Sequence, residues 1–226
     1  WYGNVVTVPE APRMGSRPYA TGLTVEPAGP QDEPAWIAGA RFDNCYLGVR
    51  TEQRPGRERA RTVAADVGVR ATRQLAVDYS GKSGAPVLVA VADRLQGTQG
   101  DNTWQFCTLP EHEVTVNEDG FTIEAADGAS LKATFVAPAE PKVTVHKVTI
   151  RHEINYHGRH QQRNLPRQVI EVRGGERFFV VMTIQRGEPP RARTASSGPT
   201  LRAVVNGRAM QFGPEQLHLG PAAQEP

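Results

Sequence analysis

The sequence predicts an all-β protein, a large antiparallel β-sandwich of about sixteen short strands with almost no helix. Three observations carry that expectation. Apolar residues alternate with polar ones or fall in short runs, helical periodicity is nearly absent, and 22 Gly and 18 Pro among 226 residues separate the runs with turn signals. A single body of this length buries about seven-tenths of its unfolded surface, so folding requires no staple.

In chain order, Asn4–Val8, Ala35–Phe42, Tyr46–Thr51, Arg61–Val67 and Gln74–Asp78 are strand-like runs rich in β-branched and aromatic residues. Pro86–Leu95 ("PVLVAVADRL") is apolar on both alternating sets, the pattern of a central strand covered on both faces. Thr103–Leu109 sets Trp104 and Phe106 two apart, hence on one face, as core aromatics or as a sugar-stacking platform. Glu113–Val116 and Phe121–Ala125 flank "NEDGF", whose Asp-Gly supplies the positive φ of a two-residue hairpin loop. Ser130–Val136, Thr144–Arg151 and Gln168–Arg173 follow, then Arg177–Gln185, inside a second run of the central-strand type, "RFFVVMTIQR". Thr200–Val205 and Ala209–Phe212 flank the Asn-Gly turn of "VNGRA", and Gln216–Leu219 closes the series. "RGEPPRARTASSGP" reads as an exposed loop, residues 1–219 as one sandwich domain, and residues 220–226 as a tail.

A net charge of +2 is too small to name nucleic acid as a partner, and no run approaches the ~18 apolar residues of a membrane span. Charge is segregated all the same. Gln96 to Leu131 holds seven carboxylates and no Lys or Arg, whereas Lys142 to Arg177 holds eight Lys or Arg and four His. Such local basic surface concentrates an anionic polymer even on a nearly neutral molecule, though charge runs are also ordinary solvated faces. Trp1 in place of Met, inside a strand-like run, reads as a fragment or a processed chain. Cys45 and Cys107 lie in or beside separate strand-like runs; a bridge between them and two free thiols are both open, and neither sits at zinc-ligand spacing.

No nucleophile elbow, phosphate loop, dinucleotide fingerprint or H-E-x-x-H stands in the chain. "VADRL" places Asp93 at the end of a buried strand, as a catalytic carboxylate or as a strand-end acceptor of turn amides. The densest polar constellation is "RHEINYHGRHQQR", Arg151 to Arg163, with His152, His157 and His160. Spacings of five and three converge poorly for zinc, which leaves a metal site, an anion- or sugar-binding loop and a solvated loop as readings. Its position between two strands, with Gly158 in its midst, points to a basic, donor-rich loop at the sandwich edge.

From Ser83 to Pro138 the order of features becomes specific: "VLVAVADRL", a gap, "TWQF", then a hairpin and strand in "VTVNEDGFTIEAADGASLKATFVAP". This order, with the later "FFVVMTI" and the earlier "AWIAGARFDNCYLGV", resembles the C-terminal β-sandwich region of heparinase II/III-like polysaccharide lyases. "WYGNVVTV" is similar to that family's "HN" strand, with Asn4 on the Asn and Gly3 where the family has His.

The resemblance implies a supersandwich-like domain of an enzyme that cleaves uronate-containing polysaccharide by β-elimination. Most catalytic residues of such lyases lie on an N-terminal (α/α) toroid, so no catalytic residue is assigned here and the chain alone is expected to be inactive. The expected partners are an anionic polysaccharide and that toroid, as domain or separate chain, with neither nucleic acid nor membrane. No cofactor or metal is expected, and the expected location is secreted or periplasmic. The candidate substrate-binding residues are Asn4, Tyr156, His157, Arg159, His160 and Arg163. A non-catalytic carbohydrate-binding or structural sandwich module is the alternative.

Overall fold

The computed structural model describes residues 6–9, 13–14, 21–29, 33–42, 45–52, 61–156 and 159–222. Nineteen strands run through them. They are β1 (Val6–Thr7), β2 (Arg13–Met14), β3 (Thr21–Pro27), β4 (Ala35–Arg41), β5 (Tyr46–Glu52), β6 (Arg61–Asp66), β7 (Arg70–Asp78), β8 (Val87–Gln96), β9 (Asn102–Thr108) and β10 (Glu113–Asn117). After these come β11 (Gly120–Glu124), β12 (Ala129–Ala137), β13 (Lys142–Tyr156), β14 (Arg159–Gly174), β15 (Arg177–Arg186), β16 (Ala192–Ser197), β17 (Thr200–Val205), β18 (Arg208–Phe212) and β19 (Leu217–Pro221). Each expected strand has its counterpart, and no helix occurs among the described residues.

The central layer is an eight-stranded antiparallel sheet in the order β10-β11-β12-β15-β8-β7-β4-β3. The two apolar runs of the sequence are the hydrogen-bonded neighbours β8 and β15, with Val91 opposite Val180. Because side chains alternate faces along a strand, each run feeds two cores. Val91, Phe178, Val180 and Met182 pack with Trp104, Ile170 and Val172 of a covering sheet ordered β1-β9-β14-β13. Leu88, Ala90, Ala92, Phe179 and Val181 pack with Leu201, Ala203, Val205, Met210 and Phe212 of a second cover, β16-β17-β18-β19. A small sheet, β2-β5-β6, flanks the first core through Tyr46, whose hydroxyl donates to the Val6 carbonyl at 3.1 Å. Trp104 and Phe106 stack at 5.9 Å between centroids, and Trp104 is 2% exposed. They are core aromatics, and a sugar platform at Trp104 is excluded.

Several local expectations change. The loop of the "NEDGF" hairpin is Glu118-Asp119, since Asn117 pairs with Gly120. Gly120 is required instead for close approach, because a Cβ there would run into the Ala133 carbonyl. Asn206 does take the positive φ, 47°, in "VNGRA". The supposed loop at 186–199 contains β16, and β19 extends two residues into the supposed tail, with Gly220 opposite Ala209 and Pro221 opposite Arg208.

Two buried ion-pair groups tie these elements together, one within the central sheet and one between layers. Arg73 and Asp93 are direct cross-strand partners on β7 and β8 and form a fork-to-fork pair, Nε to Oδ1 at 2.6 Å and Nη2 to Oδ2 at 2.8 Å. Asp93 is thus neither a turn-amide acceptor nor a free carboxylate. Arg94, one residue on, points the other way: its guanidinium lies over the Phe212 ring and donates to the Gly213 carbonyl at 2.8 Å. Arg208, 1% exposed, links the second cover to the central layer through Asp78 at 2.5 Å and Glu33 at 3.0 Å, with Lys82 also on Glu33 at 2.7 Å.

Breaking a buried pair by removing one partner strands a charge, at roughly 3–5 kcal/mol. Asp93→Ala is therefore expected to lower unfolding free energy in urea by about that amount, and Arg73→Met with Asp93→Leu to recover most of it. A double variant no more stable than the single one would contradict this account of the pair. Burial pushes the Asp78 carboxyl up, but the Arg208 guanidinium and the groups of Ser80 together outweigh it and hold it below the usual carboxylate range. A depressed carboxylate contributes stability above its unfolded pKa of about 3.9, lost as pH falls through the lower folded value. Urea midpoints are thus expected to fall with acidification below about pH 4, and to fall less steeply in Asp78→Asn.

Candidate functional site

The feature that concentrates cationic residues is the β13–β14 hairpin. The two strands pair from Lys142 opposite Arg173 to Tyr156 opposite Arg159, whereas β9 lies beside β14 only from Gln168 to Gly174. The nine pairs from Val148–Arg167 to Tyr156–Arg159 therefore form a two-stranded arm, about 30 Å long at ~3.3 Å per residue. Continuing the β9 register would set Pro110 opposite Pro166, two residues without an N–H, which accounts for the end of the third strand there. The loop expected over 152–167 is corrected by this arm. The strand pattern "VTVHKVTI" runs on in register because backbone bonds fill a ladder whatever the polarity of the side chains.

The ladder sets Tyr156 opposite Arg159, His160 opposite Asn155 and Arg163 opposite His152. Asn4 and His157 lie outside the described residues, as do the side chains of Tyr156, Arg159 and His160. Arg163 is exposed, and Arg167, four residues on and hence on the same face of β14, is half-buried at the arm's base.

That base is pinned. The Gln168 side-chain amide donates to the carbonyls of Leu109, Pro110 and His112 at 3.1, 3.3 and 2.6 Å, and Thr108 Oγ1 lies 2.6 Å from His112 Nδ1. Beside it the gap between the two sheets opens into a crevice of about 340 Å³ over Leu75, Val89 and Met182, and a groove of about 380 Å³ bordered by Arg167, Leu109 and Ile123. On the outer face of the same cover, Glu171 accepts from Gln105 at 2.7 Å and meets His146 at 3.4 Å, a cross-strand chain that accounts for His146. Cys45 and Cys107 form no disulfide, and burial pushes the Cys107 thiol up against the smaller opposing pull of Arg167. No group of three or more metal-ligating side chains occurs among the described residues.

A third concavity has no counterpart in the sequence analysis. It is a cleft of about 620 Å³ on the opposite face of the central sheet, between the β3–β4 floor and β19. Its lining residues come from segments more than a hundred residues apart, each unremarkable alone.

The sequence matches no family model and no curated protein. The structure does find a counterpart in heparan sulfate lyase HepC from Pedobacter heparinus, over 98% of this chain at TM-score 0.53 and 10% identity. A mutant of that lyase gives the same coverage at TM-score 0.51. The fold is a heparinase-type β-sandwich. The chain spans about 30% of the length of the lyases it matches.

If Gln168 fixes the root of the arm, Gln168→Leu leaves three carbonyls without that donor, at a cost of about 1–3 kcal/mol. Faster hydrogen exchange over residues 109–112, with unchanged exchange in β8 and β15, is the expected result; unaltered exchange at 109–112 would contradict it.

Proposed function

We propose that this chain is the β-sandwich domain of a heparinase II/III-like polysaccharide lyase and supplies one wall of the cleft that holds a uronate-containing polysaccharide. The observation that carries the reading is the β13–β14 arm. Over 151–167 the sequence places four Arg and three His with a single acidic residue, Glu153, on a heparinase-type sandwich. Tyr156, His157, Arg159, His160 and Arg163 are the residues proposed to meet the chain, with Asn4 as a further contact carried by the resemblance alone.

The chemistry needs such a wall. β-Elimination removes a proton α to a carboxylate, and the negative charge that builds on that group is stabilised by fixed cations and N–H donors. The proton-transfer groups belong, on this reading, mostly to an (α/α) toroid, as a domain or a separate chain, and the chain alone binds without turning over. Val25 and Trp36, 65% and 42% exposed, stand on the arm side of the central sheet beyond the reach of its four-stranded cover, and support a partner on that side. A secreted or periplasmic location follows from the substrate class.

The test is retention of the chain on heparin, alginate and a neutral glucan as salt is raised. Retention on the two polyanions, declining with salt, is expected, with Arg159→Gln plus Arg163→Gln eluting earlier. Equal, salt-insensitive retention on all three would contradict the proposal.

A further inference from the structure

The 620 Å³ cleft has a floor and one wall of different kinds. The floor is the face of β3, β4 and β7 that carries Thr24, Glu26, Gly39, Arg41 and Gln74. The wall is β19, the last strand of the second cover. Two hydrogen bonds fix which way the backbone of β19 points. The Leu217 N–H donates to Gln74 Oε1 at 2.7 Å, away from β18, and the Ala222 N–H donates to the Gly207 carbonyl at 2.9 Å. Both place Leu217, Leu219 and Pro221 at the non-hydrogen-bonded positions of the ladder. The N–H of Leu219 and the carbonyls of Leu217 and Leu219 therefore face the cleft as a strand edge without a ladder partner among the described residues.

The second cover is half the width of the sheet beneath it, and the cleft lies where its next strand would lie. Charge narrows the occupant. Glu33 and Asp78 are balanced by Arg208 and Lys82. Among the described lining residues the exposed Glu26 and Glu215 then outnumber Arg41, with His218 as the one further titratable side chain, so a polyanion is disfavoured and a cationic chain favoured. Among the described residues no Phe, Tyr or Trp lines the cleft to stack a sugar ring.

We infer that this cleft takes an extended, basic polypeptide segment of a partner protein, which adds to β19 as a fifth strand with its Lys or Arg side chains toward Glu26 and Glu215. A partner held here would leave the arm, on the other side of the central sheet, open to polysaccharide.

The test uses three fluorescent hexapeptides with the full chain, read by anisotropy: alternating Lys-Val, alternating Glu-Val, and Lys-Val N-methylated at every second residue to remove its ladder donors. The expected order is Lys-Val binding about tenfold more tightly than either of the others. Glu26→Lys plus Glu215→Lys, both at exposed positions, is expected to lose that preference, while Arg159→Gln plus Arg163→Gln leaves it intact. Equal binding of the methylated peptide, an unchanged preference in the Glu double variant, or displacement by a neutral oligosaccharide would each overturn the inference. So would concentration-dependent dimerisation abolished by the Lys-Val peptide, which would assign the edge to a second copy.

Discussion

The architecture depends on one constraint: β8 and β15, adjacent at the middle of the central sheet, are apolar on both faces. A sheet of that kind is stable in water only if both faces are covered, since each large side chain left exposed forfeits about 1.5–3 kcal/mol. The two covers are four strands wide and the central sheet is eight, so each leaves part of the layer beneath uncovered. The crevice at the arm's base lies between the central sheet and one cover, and the β19 cleft lies beside the other. Both concavities are consequences of unequal layers.

The buried ion pairs act within that frame as register marks. Hydrophobic burial is non-directional and sets no penalty of its own on a two-residue slip of β7 past β8, which keeps each side chain on its face, but the Arg73–Asp93 fork is satisfied in one register only. Arg208 plays the same part between layers, joining the start of β18 to the end of β7 and to Glu33. Such pairs add little net stability over an apolar replacement, and their contribution is to make one arrangement unique.

The strands that make the cores were legible because burial on one or both faces leaves a period in the sequence. The elements that escaped reading have none. β3 ("TGLTVEP") is exposed almost throughout, β16 ("ARTASS") is polar and exposed after its first residue, and β2 has two residues. The arm was read as a loop because His, Arg, Asn and Gln dominate it, although a backbone ladder needs no apolar face to continue. Asp93 was misread because its partner lies 20 residues earlier, and Arg208 lies 130 from Asp78; such pairings appear only once the sheet register exists. Of the candidate site, the residues and their basic character were visible, and the two-stranded pairing that carries them was not.

A polyanion is held through many weak, salt-screened contacts, so extended presentation of cations matters more than any one of them. The proposed wall is the arm, roughly 30 Å of paired strand on a body whose fold is shared with part of a heparan sulfate lyase. Amide hydrogen exchange on the full chain, with and without a heparan sulfate oligosaccharide, tests this most directly. Protection concentrated in 148–167 is the result the account predicts; protection elsewhere with none in the arm would contradict it.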